Sequence, residues 1–181
     1  MDLLEYFAND DGSLPEVQVA FSDSSLVPLA FKHLYDRGAR NVTVNGGHLW
    51  IKASDSEKPF SGYEDALLVA SGDAEAFHVV LCGIAGSSSP IPDLGAFVFA
   101  DSLDFDYRMG AVWGQNEIQS FLALLDQLRE LGGQVSVPWW GADGEQDFLT
   151  ALGGAWTIPD FSDRLIKEHP SFQTRPASDS P

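Results

Sequence analysis

A single cysteine, Cys82, stands in a chain of 181 residues. One thiol builds neither a disulfide framework nor a cysteine-based zinc site. Its setting, FHVVLCGIA, suits a small core residue better than a nucleophile. Long apolar runs are also missing. No stretch approaches the roughly 18 residues that a membrane-spanning helix needs. The opening MDLLEYFANDDG has an early acid and no basic n-region, so it does not read as a signal peptide, and cytoplasmic residence is the expectation. Positive charge is the third shortage. Ten Lys and Arg face 27 Asp and Glu, a formal charge of −17. Phosphate polymers and anionic lipid surfaces bind by replacing counterions with Lys and Arg, so nucleic acid and membranes are disfavoured as partners. A basic protein or a metal cation is favoured, against the plainer alternative that the acids only confer solubility.

Core-forming residues are plentiful. Hydrophobic residues make up 44% of the chain, with twelve Phe and five Trp, so the body of the protein folds around a core. A chain of this length buries roughly 70% of its unfolded surface on folding.

The pattern of elements predicts an α+β domain over residues 1–169, with a mixed or mostly antiparallel sheet, followed by a Pro- and Ser-rich tail at 170–181. Residues 1–16 read as a short helix or arm, and EVQVAF (16–21) alternates as a strand. Ser24 or Ser25 is placed to cap a helix that Gly38 stops. NVTVNGGHLWIKAS (41–54) has the pattern of a hairpin turning at Asn45-Gly46-Gly47, with Val42, Val44, Leu49 and Ile51 on its buried side. Asp55 to Ser61 reads as a loop and Tyr63 to Ala70 as a helix. Residues 73–85 are apolar enough to be helix or buried strand. GSSSPIPD (86–93) reads as an ordered loop or internal linker. A second hairpin is expected over 95–109. Leu103, Phe105, Tyr107 and Met109 then share one face and Asp104, Asp106 and Arg108 the other, because side chains alternate along a strand. NEIQSFLALLDQLREL (116–131) carries a full apolar stripe and ends at Gly132-Gly133. A strand at 134–137 and helices at 143–152 and 161–169 complete the order.

Tests for chemistry return little. His33, His48, His78 and His169 include no i,i+4 pair and no HExxH, so none is assigned as a metal ligand. Ser87, Ser88 and Ser89 lack a GxSxG context. GIAG (83–86) and VNGGH (44–48) lack both the GxGxxG spacing and a P-loop lysine. Asp104 and Asp106 project from one strand face, which permits a Mg²⁺ site or an acid–base pair and, with it, a metal-dependent hydrolase or transferase. The preferred reading is a solvated hairpin face on which Arg108 offsets part of the repulsion. No catalytic residue, metal or cofactor is assigned.

Distribution of charge says more. From Asp55 to Tyr107 ten acids face one base, Lys58, leaving nine of the seventeen net negative charges in under a third of the chain. Gathered on one side, they speed association with a basic partner. Trp113 in AVWGQ and Trp139-Trp140 in PWWGADGEQD are loop indoles beside acids, as in a contact centre rimmed by charge. Core packing is the competing role for each of them. Contact candidates are therefore Asp101, Asp104, Asp106, Trp113, Trp139, Asp143 and Glu145.

LDFDYRMGAVWGQNEIQSFLALLDQL (103–128), a strand ending in DYRMG, a loop tryptophan and a striped helix, resembles the small acidic immunity proteins of bacterial polymorphic toxin systems, and the PWWG segment fits. The likeness covers the C-terminal half and points to no particular immunity family. It implies a non-catalytic cytoplasmic inhibitor that binds a cognate toxin stoichiometrically, and it transfers no individual residue role. A structural or interaction subunit of a larger assembly remains the further alternative, and the oligomeric state is left open.

Overall fold

A computed structural model describes residues 3–154. The helix read at 161–169 and the tail read at 170–181 lie outside the described residues. The described chain is a six-stranded, wholly antiparallel sheet with helices, an α+β fold around one hydrophobic core.

Strands β1 (Glu16–Phe21), β2 (Arg40–Asn41), β5 (Phe77–Cys82), β6 (Leu94–Val98), β7 (Ser102–Tyr107) and β8 (Gly133–Ser136) lie in the order β2-β5-β6-β7-β1-β8. A separate two-stranded sheet is made by β3 (His48–Ile51) and β4 (Ser56–Pro59). The helices are α1 (Glu5–Ala8), α2 (Leu26–Asp36), α3 (Asp65–Ala70), α4 (Gln115–Glu130) and α5 (Gly141–Gly153). Residues 77–82 are thus a strand, with the buried and half-buried alternation that an amphipathic strand requires.

Period-two alternation sorts the large sheet into two faces. Val17, Val19, Phe21, Phe77, Val79, Leu81, Leu94, Ala96, Val98, Leu103, Phe105 and Tyr107 all point inward and are buried. Helix α4 presents Ile118, Phe121, Leu125 and Leu128 to that layer. Phe121 is its hub, packing edge-on against Phe7, Phe105 and Tyr107 and tilted against Trp113. Phe31 of α2 meets Phe77 edge-on, and Phe7 of α1 stacks on Tyr107. Helices therefore pack on one face of the sheet.

The second hairpin has the expected strands, with Leu94 opposite Tyr107 and Val98 opposite Leu103. The first differs from expectation. Residues 41–44 do not pair with 48–51. Asn45, Gly46 and Gly47 all take positive φ, 63°, 85° and 81°, but they close a tight 3₁₀ turn in which the Gly46 amide donates to the Thr43 carbonyl. That turn redirects the chain between two sheets: β2 pairs with β5, and β3 pairs with β4. Val42 and Val44 are consequently exposed, while Leu49 is buried. The actual hairpin reverses over Lys52–Asp55, where Asp55 accepts a left-handed φ of 49°. SEKP is polar enough to read as a loop, yet its backbone completes the ladder.

The 86–93 loop is ordered. Ser120 Oγ, fully buried on α4, accepts the amides of Ser88 at 3.1 Å and Ser89 at 3.0 Å. Gly86 is obligatory there, because a Cβ would lie 2.3 Å from the Ser120 Cβ.

Candidate functional site

With helices on the inner face, the outer face of the sheet is composed of the alternate residues. One row across the strands reads His78, Phe97, Asp104, Gln18 and Ser136, each directly opposite the next. The adjacent row reads Val80, Gly95, Asp106 and Glu16. Phe97, His78, Gln18, Glu16, Ser136 and Val80 are all half-exposed.

Asp104 and Asp106 occupy the middle of this surface, and here the expectation of a solvated face fails. They are only 7% and 9% exposed. Both sit on β7 between paired strands, Asp104 flanked by Phe97 and Gln18, and Asp106 by Glu16 and, across Gly95, His78. Larger neighbours shade short carboxylates at the centre of a wide sheet.

The two carboxylates differ in their partners. Asp106 Oδ2 meets His78 Nε2 at 2.8 Å across Gly95, whose lack of a side chain leaves the gap. Asp104 Oδ1 is buried and has no hydrogen-bond partner among the described residues. Burial pushes the Asp104 carboxyl above its ordinary value, the Ser102 hydroxyl draws it back, and the charge of Glu16 raises it again. His78 lies tilted against Phe97 with ring centroids 4.1 Å apart, and Phe97 stacks with Phe99 at 6.0 Å, forming an aromatic strip beside the acids. Sequence reading placed Asp104 and Asp106 on one face but not His78, Phe97, Gln18 or Glu16. Only strand pairing brings those together.

Other candidates fall elsewhere. Asp101 is exposed in the β6–β7 turn, and its carbonyl accepts the Phe21 amide at the C-terminal end of β1. Trp139 is 49% exposed in the 3₁₀ turn after β8, and Asp143 is exposed in the first turn of α5. Glu145 is half-buried and accepts the Val137 amide at 2.9 Å, so part of its carboxylate serves the fold. Because β8 runs antiparallel to β1, this group lies at the opposite end of β1 from Asp101.

Trp113 is only 2% exposed. Its Nε1 donates to the Arg108 carbonyl at 2.7 Å and its ring packs on Phe7 and Tyr107. It is core, not contact surface. Trp140 is half-buried, edge-on to Tyr6 and donating to Tyr107 Oη at 3.2 Å. Trp50, 41% exposed, belongs to the β3–β4 sheet beside β5, which three strands separate from β8, so it shares no patch with Trp139.

Part of the acidic surplus between Asp55 and Tyr107 is compensated locally. Asp65 is buried against Lys58 and the Ser61 amide, and Glu75 meets Lys52 at 3.6 Å. Among the described residues, no group of three or more His, Cys, Asp and Glu is arranged to hold a metal ion. No described helix is long and apolar enough to cross a membrane. Comparison of the chain with protein-family models, with curated proteins and with solved structures finds no match in any of the three.

Proposed function

We propose that this chain is a binding protein that inhibits a basic protein by stoichiometric docking, and specifically an immunity protein made in the cytoplasm against a cognate bacterial toxin. The carrying observation is the outer face of the sheet, where Glu16, Asp104 and Asp106 stand beside half-exposed Phe97 and exposed Phe99. Acids at the centre with aromatic carbon beside them suit a basic surface, giving fast, salt-sensitive encounter and apolar contact once docked. The overall charge of −17 adds long-range attraction for such a partner.

Six strands at about 4.8 Å spacing, the longest of them six residues, make a face of at most roughly 24 by 20 Å. Each side of a stable complex buries roughly 800 Å². Docking therefore extends beyond the strands onto a rim, where Asp101 offers contact at one end, and Trp139 and Asp143 at the other.

The direct test is size-exclusion chromatography of the full chain with the product of the neighbouring gene, at low and high salt. The reading expects a one-to-one complex that weakens as salt rises. Separate elution from every adjacent toxin-like product at low salt would sink it.

A further inference from the structure

Asp104 carries a feature that charge alone does not explain. A carboxylate oxygen removed from water without a hydrogen-bond donor costs free energy, and native folds retain few such groups. Here the orphan is Oδ1, on a residue only 7% exposed, at the centre of a sheet surface that no described helix covers. Its neighbour Asp106 is engaged by His78, and the Ser102 hydroxyl and Val19 amide that lower the Asp104 carboxyl leave Oδ1 without a partner among the described residues. The residues directly opposite are Gln18 on one side and Phe97 on the other, both half-exposed, and none of the described helices packs above them.

We infer that Asp104 is the base of a socket for one arginine side chain of a protein partner, with the guanidinium donating to the carboxylate and its plane lying against the Phe97 ring. This rests on the proposed inhibitor reading and names the chemistry its partner must present. Three features select arginine. The free acceptor calls for a charged N–H donor, and a guanidinium supplies paired donors in a planar fork that matches a carboxylate. A ring face beside the acid favours a flat, weakly hydrated cation over a compact ammonium. Glu16, Asp101 and Asp106 add negative potential around the site, and among the described residues His78 is the titratable base that faces it. Entry requires Gln18 and Phe97 to swing outward, a rotamer change that half-exposed side chains make readily. The Asp side chain also turns easily about its last torsion, so both oxygens become available to the fork.

The test is an NMR titration of the isotope-labelled full chain with L-arginine amide, with L-lysine amide and MgCl₂ as parallel probes. Arginine amide should shift the Asp104, Phe97 and Gln18 signals saturably, with lysine amide several-fold weaker and MgCl₂ without a saturable response there. Asp104→Asn should weaken the arginine response about tenfold, the effect of losing one charged hydrogen bond. Phe97→Leu should weaken it about threefold, with the dispersed spectrum retained in both variants. The absence of a saturable shift at these positions overturns the socket. Preference for lysine amide or Mg²⁺, or an unchanged response in Asp104→Asn, overturns it too. A salt-sensitive toxin complex without arginine binding leaves the inhibitor reading standing and removes the socket. Arginine binding without any toxin complex does the reverse.

Discussion

Gly95 makes the space in which the Asp106 carboxylate meets His78: a Cβ on that glycine would lie 2.1 Å from Asp106 Oδ2. The pair spans two strands, from β7 over β6 to β5, so a diagonal contact depends on the strand between them having no side chain. Gly95→Ala should force Asp106 aside and break the 2.8 Å bond to His78. Overpacking of this kind costs about 1–3 kcal/mol. Urea unfolding should show that loss, and a double variant with His78→Phe should lose less than the sum of the two single changes.

Asp104→Asn should stabilise the protein at neutral pH. Its folded-state carboxyl titrates above the ordinary 3.8, so the folded form holds a proton that the unfolded chain has already released. Stability therefore falls as pH rises from 3.8 through the folded value, and ionised Asp104 is a fixed penalty above that window. Replacing the carboxylate with an amide removes it, by about 1 kcal/mol at pH 7. Chemical unfolding across pH should show an advantage that vanishes below 3.8. A variant weaker than the parent at pH 7 would mean that the ionised oxygen already has a donor.

How far these features can be read from sequence depends on how local they are. The alternation in SLDFDY and the stripe in EIQSFLALLDQL each concern a single element, and both yield the right faces. Asn45-Gly46-Gly47 misled because positive φ fits a hairpin turn and a 3₁₀ corner equally. Which forms is decided by β2 pairing with β5 some forty residues on. Strand alternation places Asp104 and Asp106 on one face, but their burial has no local signature, since it comes from β1 and β6 on either side. Trp113 was ambiguous for the same reason: a loop indole enters the core only if Phe7, more than a hundred residues earlier, is there to meet it.

Ser120→Ala should release the 86–90 loop. One hydroxyl oxygen satisfies two amides, those of Ser88 and Ser89, and it is wholly buried. Leaving both donors without an acceptor costs about 1–3 kcal/mol. Global stability should fall by that amount, and hydrogen exchange at the Ser88 and Ser89 amides should quicken more than at the centre of β6. Exchange unchanged at those two sites would show that the loop is held by something else.

Glu117 closes the start of α4 by accepting the Gly114 amide at 3.0 Å. The Ser89 hydroxyl foremost, then the Glu117 and Gly114 amides, hold its carboxyl below the ordinary 4.5. A depressed carboxylate gives stability that is fully present above 4.5 and lost as pH falls through the folded value. Glu117→Ala should cost about 1 kcal/mol at neutral pH, the usual worth of a capping side chain. The difference from the parent should shrink in acid, which unfolding curves at successive pH values will reveal.

Trp113 and Trp139 should separate stability from binding. Trp113 fills core between Phe7, Tyr107 and Phe121, and truncating such a ring to Ala costs about 3–5 kcal/mol. Trp139 stands half in solvent at the end of β8, and removal of its ring should change stability by no more than about 0.5 kcal/mol. An indole on the rim of a docking face is nonetheless the residue type that concentrates binding energy. Trp139→Ala should therefore lower affinity for the partner about tenfold while unfolding at nearly the parental urea concentration. Calorimetric titration beside an unfolding curve distinguishes the two effects. Parental affinity in the Trp139 variant would remove that end of the sheet from the interface and shift the contact toward Asp101.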